Sequence, residues 1–164
     1  MSKYISVEGK ITSIEPIRTG EDRQENCCNL LISVRTDNRN VIKFFVDNDT
    51  YFIDNVNVRR GDNIIAFYDS SLLVPLIYPP QYRAVVISRN MRFKFVKVGR
   101  FNRELISDDG NFKLNLRPDT KIIMRNNQDF LCNIYGRDVA VVYSVSTKSF
   151  PAQITPIEII VLCK

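Results

Sequence analysis

The sequence predicts an all-β protein made of two similar small repeats, either OB-like β-barrels or β-sandwiches, packed side by side. Alternating apolar and polar residues fill the chain, and no long segment has apolar residues at the i, i+3, i+4, i+7 spacing of a helix. A stretch at 61–87 aligns without gaps with residues 136–162. Each half, residues 1–88 and 89–164, suits about five strands. Alternation alone does not separate a barrel from a sandwich.

The first half contains strand patterns and turn signals in a regular order. Residues 4–17 alternate up to Pro16, which is typical of an edge or of a strand exit. Residues 18–28 are polar and predict a long surface loop. Two runs rich in β-branched and aromatic residues then predict a hairpin. The hairpin arms are residues 29–35 and 41–46, and further strands are expected within 50–58, 63–69 and 83–88.

The second half repeats this order in shortened form. The sequence VEGKI at 7–11 corresponds to KVGRF at 97–101. In the same way, IKFFVDNDTYFI at 42–53 corresponds to FKLNLRPDTKII at 112–123. Three blocks that recur in one order indicate an internal duplication, with part of the first hairpin missing from the second half. Strand patterns also produce chance matches, so each block alone carries little weight.

Composition indicates an ordinary globular protein. The 164 residues are 45% apolar and 25% charged, which is enough apolar surface for a core. No stretch approaches the roughly 18–20 apolar residues that span a bilayer. The first residues, MSKYISVEGK, lack the apolar segment of a secretory signal. We therefore expect synthesis in the cytoplasm and no membrane span, while a spore or cell surface reached by another route, such as mother-cell lysis, stays open.

The sequence contains no histidine. Histidine is the side chain most often used for acid–base catalysis near neutral pH and the commonest transition-metal ligand. Ser–His–Asp, Cys–His, HExxH and Cys₂His₂ chemistry are therefore excluded. Its absence makes an enzyme the least favoured class, and no cofactor is expected.

A basic segment joins the two halves. Residues 88–103 read SRNMRFKFVKVGRFNR and contain no acidic residue. Phe93 and Phe95 alternate with Arg92 and Lys94, which predicts a strand with one apolar, core-facing side and one basic side. Cations beside an OB-like barrel suit the phosphates of single-stranded nucleic acid, but a basic face also keeps an exposed strand from pairing with another chain. The candidate polyanion-binding residues are Arg89, Arg92, Lys94, Lys97, Arg100 and Arg103.

Proline-punctuated loops precede the last strand of each half. Both halves need a stiff connection at this point, which is a structural explanation for the prolines. Exposed aromatic residues in the same loops would also form a contact patch for a protein partner. The candidate contact residues are Tyr78, Pro79, Pro80, Tyr82, Phe150, Pro151 and Ile154.

The cysteines and the acidic residues indicate no metal site. The four cysteines match no zinc pattern, and thiols in the cytosol are usually reduced. Adjacent Cys27 and Cys28 would be an intermolecular cross-link point if exposed. The aspartates of the first half lack the spacing of a calcium-binding loop, and turn capping explains them better.

Three stretches resemble a known group of proteins: AFYDSSLLVPLIYPPQYRAVVI, VKVGRFNRELISDDGNFKLNL and VVYSVSTKSFPAQITPIEIIVL. From about Gly9 to Leu162, the chain resembles small two-repeat β-proteins of Gram-positive spore-forming bacteria. The resemblance implies a duplicated β architecture and a bacterial source, and lends some support to a spore or envelope role. It implies no catalytic residue and no ligand. The cysteine pair and the loop at 18–28 depart from the pattern, so nothing is carried over there.

Two functions from different classes follow from these patterns. The first is a non-enzymatic structural or assembly module that associates with itself into a homo-oligomer or filament. Two similar halves offer complementary head-to-tail surfaces, and a contact of this kind that does not close produces a filament. The alternative is a tandem OB-like protein that binds single-stranded nucleic acid through the basic segment.

Overall fold

The computed structural model describes residues 3–17 and 27–163 of the chain. In these ranges the secondary structure consists of β-strands and one short 3₁₀ turn, Ile53–Asn55. The expected all-β class is thereby confirmed, and the strands form two sheets. The loop expected at 18–28 lies outside the described residues except for Cys27 and Cys28. The described ranges hold no helix with the length and apolar character needed to cross a bilayer.

The chain divides into two compact units. Tyr4–Asn90 forms the first unit, and residues 91–163 form the second together with Lys3. Each unit has its own apolar core, as expected of a small domain. Phe44, Ile32 and Ile64 are fully buried in the first core, and Phe101 is fully buried in the second.

The first unit contains six strands whose pairings return to their starting point. Their bounds are β1 (Tyr4–Pro16), β2 (Leu30–Arg35), β3 (Val41–Val46), β4 (Tyr51–Phe52), β5 (Asn63–Asp69) and β6 (Gln81–Arg89). Antiparallel pairing joins β3 to β2, β2 to β1, β1 to β5 and β5 to β6. Parallel pairing between β6 and β3 completes the ring, and β4 adds parallel to β6. A closed ring leaves no long unpaired edge among these five strands.

Alternation along the strands explains which face each residue occupies. Val34 on β2, Phe44 on β3 and Ala66 on β5 all point into the first core, because successive side chains of a strand lie on opposite faces. The turn before β5 depends on Gly61, which has φ +94° and donates its N–H to the Ile11 carbonyl at 2.8 Å. Positive φ of this kind favours glycine.

The second unit has the same pairings with one strand missing. Its strands are β7 (Phe95–Arg100), β8 (Phe112–Leu114), β9 (Lys121–Met124), β10 (Asp138–Ser146) and β11 (Ala152–Val161). β10 lies antiparallel between β7 and β11, while β8 and β9 both run parallel to β11. Where the first unit has β2, isolated bridges join Phe101 to Ser107 and Ile106 to Lys113.

Pairing register relates the two units position by position. Gly9 lies opposite Ile64 in the first unit, and Gly99 lies opposite Val139 in the second. The register of β5 and β6 shifts between Phe67 and Tyr68. The corresponding shift in β10 and β11 falls between Val142 and Tyr143. These pairs follow the predicted correspondence of 7–11 with 97–101 and of 61–69 with 136–144.

The last strand departs from the gapless alignment. Ala84 lies opposite Tyr68 in the first unit, whereas Pro156 lies opposite Tyr143 in the second. The gapless alignment would have placed Ile159 at that point, so it is wrong by three positions after the loop. The physical reason is that the connection between the two paired strands is shorter in the second unit.

Candidate interaction surfaces

Ion pairs within each unit engage Arg89, Lys97 and Arg100 among the predicted polyanion-binding residues. Arg89 ends β6, where its Nε lies 3.6 Å from Asp62 Oδ2 and its guanidinium donates a hydrogen bond to the Asn57 carbonyl. Arg100 on β7 donates from Nε to Asp138 Oδ1 at 3.0 Å. Asp138 is only 2% exposed, and Lys3 Nζ lies 3.4 Å from its other oxygen. These cations already have carboxylate partners, which weakens their attraction for a phosphate.

Lys97 is likewise paired with a carboxylate of its own unit. Its Nζ donates to Asp109 Oδ2 at 2.6 Å and also lies 5.2 Å from the centre of the Phe112 ring. Burial alone would raise the pKa of Asp109. Hydrogen bonds from Lys97, from the Ser107 hydroxyl and from the Asn111 N–H outweigh burial and lower that pKa to about 2. The aspartate is therefore ionised at neutral pH and holds Lys97 in place.

The segment around Phe93 forms a turn, and the strand predicted there is wrong. β6 ends at Arg89, a bridge joins Met91 to Lys94, and β7 begins at Phe95. Four residues in a turn reproduce strand alternation by chance, so the parity of the two phenylalanines was misleading. Phe93 is 78% exposed and Phe95 is 46% exposed. Both aromatic rings thus reach solvent, although Phe95 also contacts the Tyr143 ring, 5.6 Å away between centroids.

The remaining basic candidates differ in their surroundings. Arg92 is exposed in the same turn, and Lys94 is half-buried beside it. Arg103 is exposed, and its guanidinium lies 5.5 Å from the centre of the Tyr135 ring. In the second unit, Arg92 and Phe93 are therefore the exposed cation and aromatic ring that stand next to each other in sequence.

The loop between β5 and β6 is the most apolar exposed segment that the structure describes. Leu73 and Leu76 are fully exposed, and Tyr78 is 85% exposed. Residues 70–80 contain no charged side chain. The large apolar side chains exposed in this loop are Leu72, Leu73, Val74, Leu76, Ile77 and Tyr78.

Hydrogen bonds hold both ends of this loop. Asp69 Oδ1 accepts from the N–H and the hydroxyl of Ser71, and the Asp69 carbonyl accepts from the Leu72 N–H at 3.4 Å. At the other end, the Pro80 carbonyl accepts from the Lys43 N–H at 2.9 Å. Pro79, between Tyr78 and Pro80, follows a cis peptide bond. Both ends of the loop are therefore held in place, and the exposed apolar side chains lie between them.

Tyr82 does not belong to the exposed part of the loop. It lies in β6 and stacks on Tyr68, with 3.9 Å between ring centroids and an interplanar angle of 11°. Phe44 packs against both rings from the core. Burial, and then the neighbouring Tyr82 hydroxyl, raise the pKa of Tyr68. Tyr82 thus contributes mainly to packing.

The corresponding loop of the second unit is shorter and more polar. Phe150 is 81% exposed and is followed by Pro151. The Thr147 hydroxyl accepts from the Gln153 N–H at 2.9 Å, which holds the two sides of the loop together. Ile154 was expected on an exposed loop, but it is fully buried inside β11. That expectation is wrong because β11 begins at Ala152, earlier than the gapless alignment placed it.

A groove in the second unit was not predicted from the sequence. It has a volume of about 480 Å³ and lies between the turn that precedes β9, the end of β10 and the middle of β11. Its rim includes Val145, which is 71% exposed, and Ile157, which is half exposed. The lining residues are Arg117, Asp119, Thr120, Ser144, Val145, Thr155, Pro156 and Ile157.

Pairing register identifies the equivalent place in the first unit. In the first unit, Arg83 on β6 lies opposite Phe45 on β3. In the second unit, Asn115 directly follows Leu114, the last residue of β8, which lies parallel to β11. The same register makes Thr155 the counterpart of Arg83 and Arg117 the counterpart of Asp47. In the first unit Arg83 pairs with Asp47 and covers the Phe45 ring at 4.9 Å. The second unit has Thr155 and Arg117 instead, so no such ion pair crosses its groove.

Asp47 and Asp62 of the first unit cap turns. Asp47 Oδ1 accepts from the Asp49 N–H at 2.9 Å, and Asp62 Oδ2 accepts from the Arg59 N–H at 2.9 Å. Among the described residues, no group of three or more histidine, cysteine, aspartate or glutamate side chains is arranged to hold a metal ion. Cys27 and Cys28 are exposed, as their proposed role in cross-linking requires.

Comparison of the chain with protein-family models, with curated proteins and with solved structures found no match in any of the three.

Proposed function

We propose that the protein is a non-enzymatic β-module that associates with copies of itself through the loop at 70–80. The observation that carries this proposal is the exposure of six large apolar side chains in one uncharged loop. Contiguous apolar patches beyond a few hundred Å² are rare on monomers and commonly mark contact sites. Burying such a loop against another chain releases ordered water and stabilises the complex.

We also propose that the first unit is an OB-like barrel and that the two units are repeats. The pairing order β1-β2-β3-β6-β5-β1, with β3 parallel to β6, supports an OB-like barrel in the first unit. The matching registers support an origin of both units by duplication, with β2 lost from the second. The resemblance to two-repeat proteins of spore-forming bacteria extends the proposal to an assembly made in the cytoplasm, or on a spore surface reached after lysis of the mother cell.

The test is the oligomeric state of the purified chain. We expect the mass measured by light scattering to rise with protein concentration, with or without reductant, because the contact is apolar. Substitution of Leu73 and Leu76 by Ser should keep the protein monomeric without loss of folding, since both side chains are fully exposed. Substitution of Cys27 and Cys28 by Ser tests for an added cross-link. A wild-type chain that stays monomeric at every concentration contradicts the proposal.

Single-stranded nucleic acid is the second candidate partner. One observation favours it: Phe93 is exposed beside the exposed cation Arg92, and aromatic rings with nearby cations bind bases and phosphates. Binding to labelled oligonucleotides should then fall steeply between roughly 50 and 200 mM salt. It should also be lost when Arg92 and Phe93 are replaced by Ser. No binding at low salt removes this candidate.

A further inference from the structure

We propose that the groove of the second unit receives the loop at 70–80 of another copy of the chain. The resulting contact is head-to-tail and repeats from chain to chain. This inference rests on the proposed self-association and identifies the surface that the loop meets.

The groove has the chemistry that this loop needs. Its rim presents Val145 and Ile157 to solvent, and both would be covered by an apolar side chain from the loop. A volume of about 480 Å³ admits more than one such side chain, within the range of typical binding pockets. Val145 and Ile157 therefore offer apolar contacts for Leu73 and Leu76 among otherwise mostly polar lining residues.

The polar lining suits the loop backbone. Within the described residues, the backbone groups of residues 73–79 form no hydrogen bonds with other backbone groups. Hydroxyls of Ser144 and Thr155 and the guanidinium of Arg117 line the groove. A guanidinium carries five N–H donors and hydroxyls both donate and accept, so they can pair with loop carbonyls and N–H groups that leave water on binding. Such pairing avoids the cost of burying unsatisfied backbone groups.

Among the described residues, the equivalent place in the first unit is occupied differently. At the equivalent place in the first unit, Arg83 and Asp47 form an ion pair and Arg83 lies over Phe45. The loop and the groove are therefore different surfaces of the same chain. A contact between different surfaces is heterologous, and it extends into a filament unless the rotation between copies closes a ring.

The charge distribution favours a second copy over a lipid membrane. Loops that insert at a membrane surface commonly have flanking lysine or arginine side chains that meet anionic lipids. Between Asp69 and Tyr82 the loop has no cation, and its first flanking residue is acidic. Arg83, the nearest cation after it, is already paired with Asp47. A protein groove is thus the better partner for this segment.

Two blocked variants test the contact by complementation. Leu73→Asp with Leu76→Asp blocks the loop. Thr155→Arg with Arg117→Asp reproduces the ion pair of the first unit and closes the groove. We expect each variant alone to be monomeric at concentrations where the wild type assembles. An equimolar mixture should form a complex of two chains and grow no further, because it contains one working loop and one working groove.

The outcomes separate this inference from the proposed function. If the groove variant assembles like the wild type while the loop variant stays monomeric, self-association holds and the groove is the wrong partner. If the wild type is monomeric, both ideas fail, and binding to phosphatidylcholine vesicles would then assign the loop to a membrane. Val145→Asp, at an exposed rim position, repeats the test should the double groove variant not fold. This variant should weaken assembly at least tenfold.

Discussion

Gly9 and Gly99 occupy equivalent positions in the two units, yet their surroundings differ. A Cβ atom at Gly9 would lie 2.5 Å from both the Arg35 carbonyl oxygen and Val34 Cγ1, because β2 runs directly beside β1. At Gly99 the nearest atom is Lys97 Cε at 3.8 Å. The same register thus occurs in the second unit, where the described residues form no strand in the place of β2. The comparison shows that glycine is necessary at Gly9 because β2 approaches closely there. The position of Gly9 within β1 does not by itself require glycine.

The largest predicted loss of stability follows from adding a methyl group at Gly9. Gly9→Ala should destabilise the first unit by about 2–3 kcal/mol, because backbone atoms of Arg35 must move to admit the methyl group. Gly99→Ala is the matched control and should be neutral or stabilising by about 0.5 kcal/mol, since alanine restricts the unfolded chain. Hydrogen exchange of peptides from β2 and β10 measures each unit separately. Equal effects of the two substitutions would contradict the comparison.

The second prediction concerns equivalent residues at the start of β5 and β10. Asp138 is buried with Arg100 and Lys3 beside it, whereas its counterpart Asn63 is exposed. Asp138→Asn should destabilise the second unit by about 1–2 kcal/mol, less than for a fully buried ion pair because both cations are partly exposed. Asn63→Ala should change the stability of the first unit by less than about 0.5 kcal/mol.

Thermal unfolding followed by circular dichroism gives the readout for this pair of variants. Addition of salt should narrow the difference between wild type and Asp138→Asn in part, because Arg100 and Lys3 are partly exposed and salt screens exposed charges. A loss caused by altered packing alone would be insensitive to salt, and that result would argue against the electrostatic explanation.

The smallest predicted effect depends on pH. Lys97 and Asp109 link β7 to the turn before β8. The pKa of Asp109 is lowered from 3.8 to about 2 in the folded protein. Its contribution to stability is therefore complete above about pH 5 and is lost as the pH falls through 3.8 toward 2. Asp109→Asn should cost about 0.5–1 kcal/mol at pH 7 and much less at pH 2.

Chemical denaturation at the two pH values measures this difference. Asp108→Asn is the control, because Asp108 is adjacent in sequence and exposed. A cost for Asp109→Asn that stays constant between pH 7 and pH 2 would show that the carboxylate charge has no part in it.

The sequence predicted the strands well because burial and alternation follow simple periodicity. The correspondence of Gly9 with Gly99 was also visible, since both units have glycine at the same place in the strand pairing. Ile154 was wrongly placed on a loop because a change in loop length does not alter the alternation of apolar and polar residues in the strands on either side. Phe93 was misassigned because two-residue alternation looks the same in a strand and in a short turn.

The candidate surfaces were harder to predict than the strands. Pairing of Arg100 with Asp138 joins residues that are distant in sequence, so the basic segment looked more available than it is. At the groove, Thr155 and Arg117 form no ion pair of the kind that Arg83 and Asp47 form in the first unit. This difference is visible only when the pairing registers of the two units are compared. The apolar character of the loop was apparent from the sequence, whereas its exposure was only one of two interpretations of the prolines and aromatic residues there.

The sequence separation between paired strands also bears on how quickly each unit folds. β1 pairs with β5, which brings Lys10 opposite Asn63, more than fifty residues later in the chain. In the second unit, Arg100 meets Asp138 after fewer than forty residues. Contacts between distant residues slow folding, since the chain loses loop entropy before the pairing stabilises it. The unit that is synthesised first is thus expected to fold more slowly, and its apolar loop is exposed to other chains during that time.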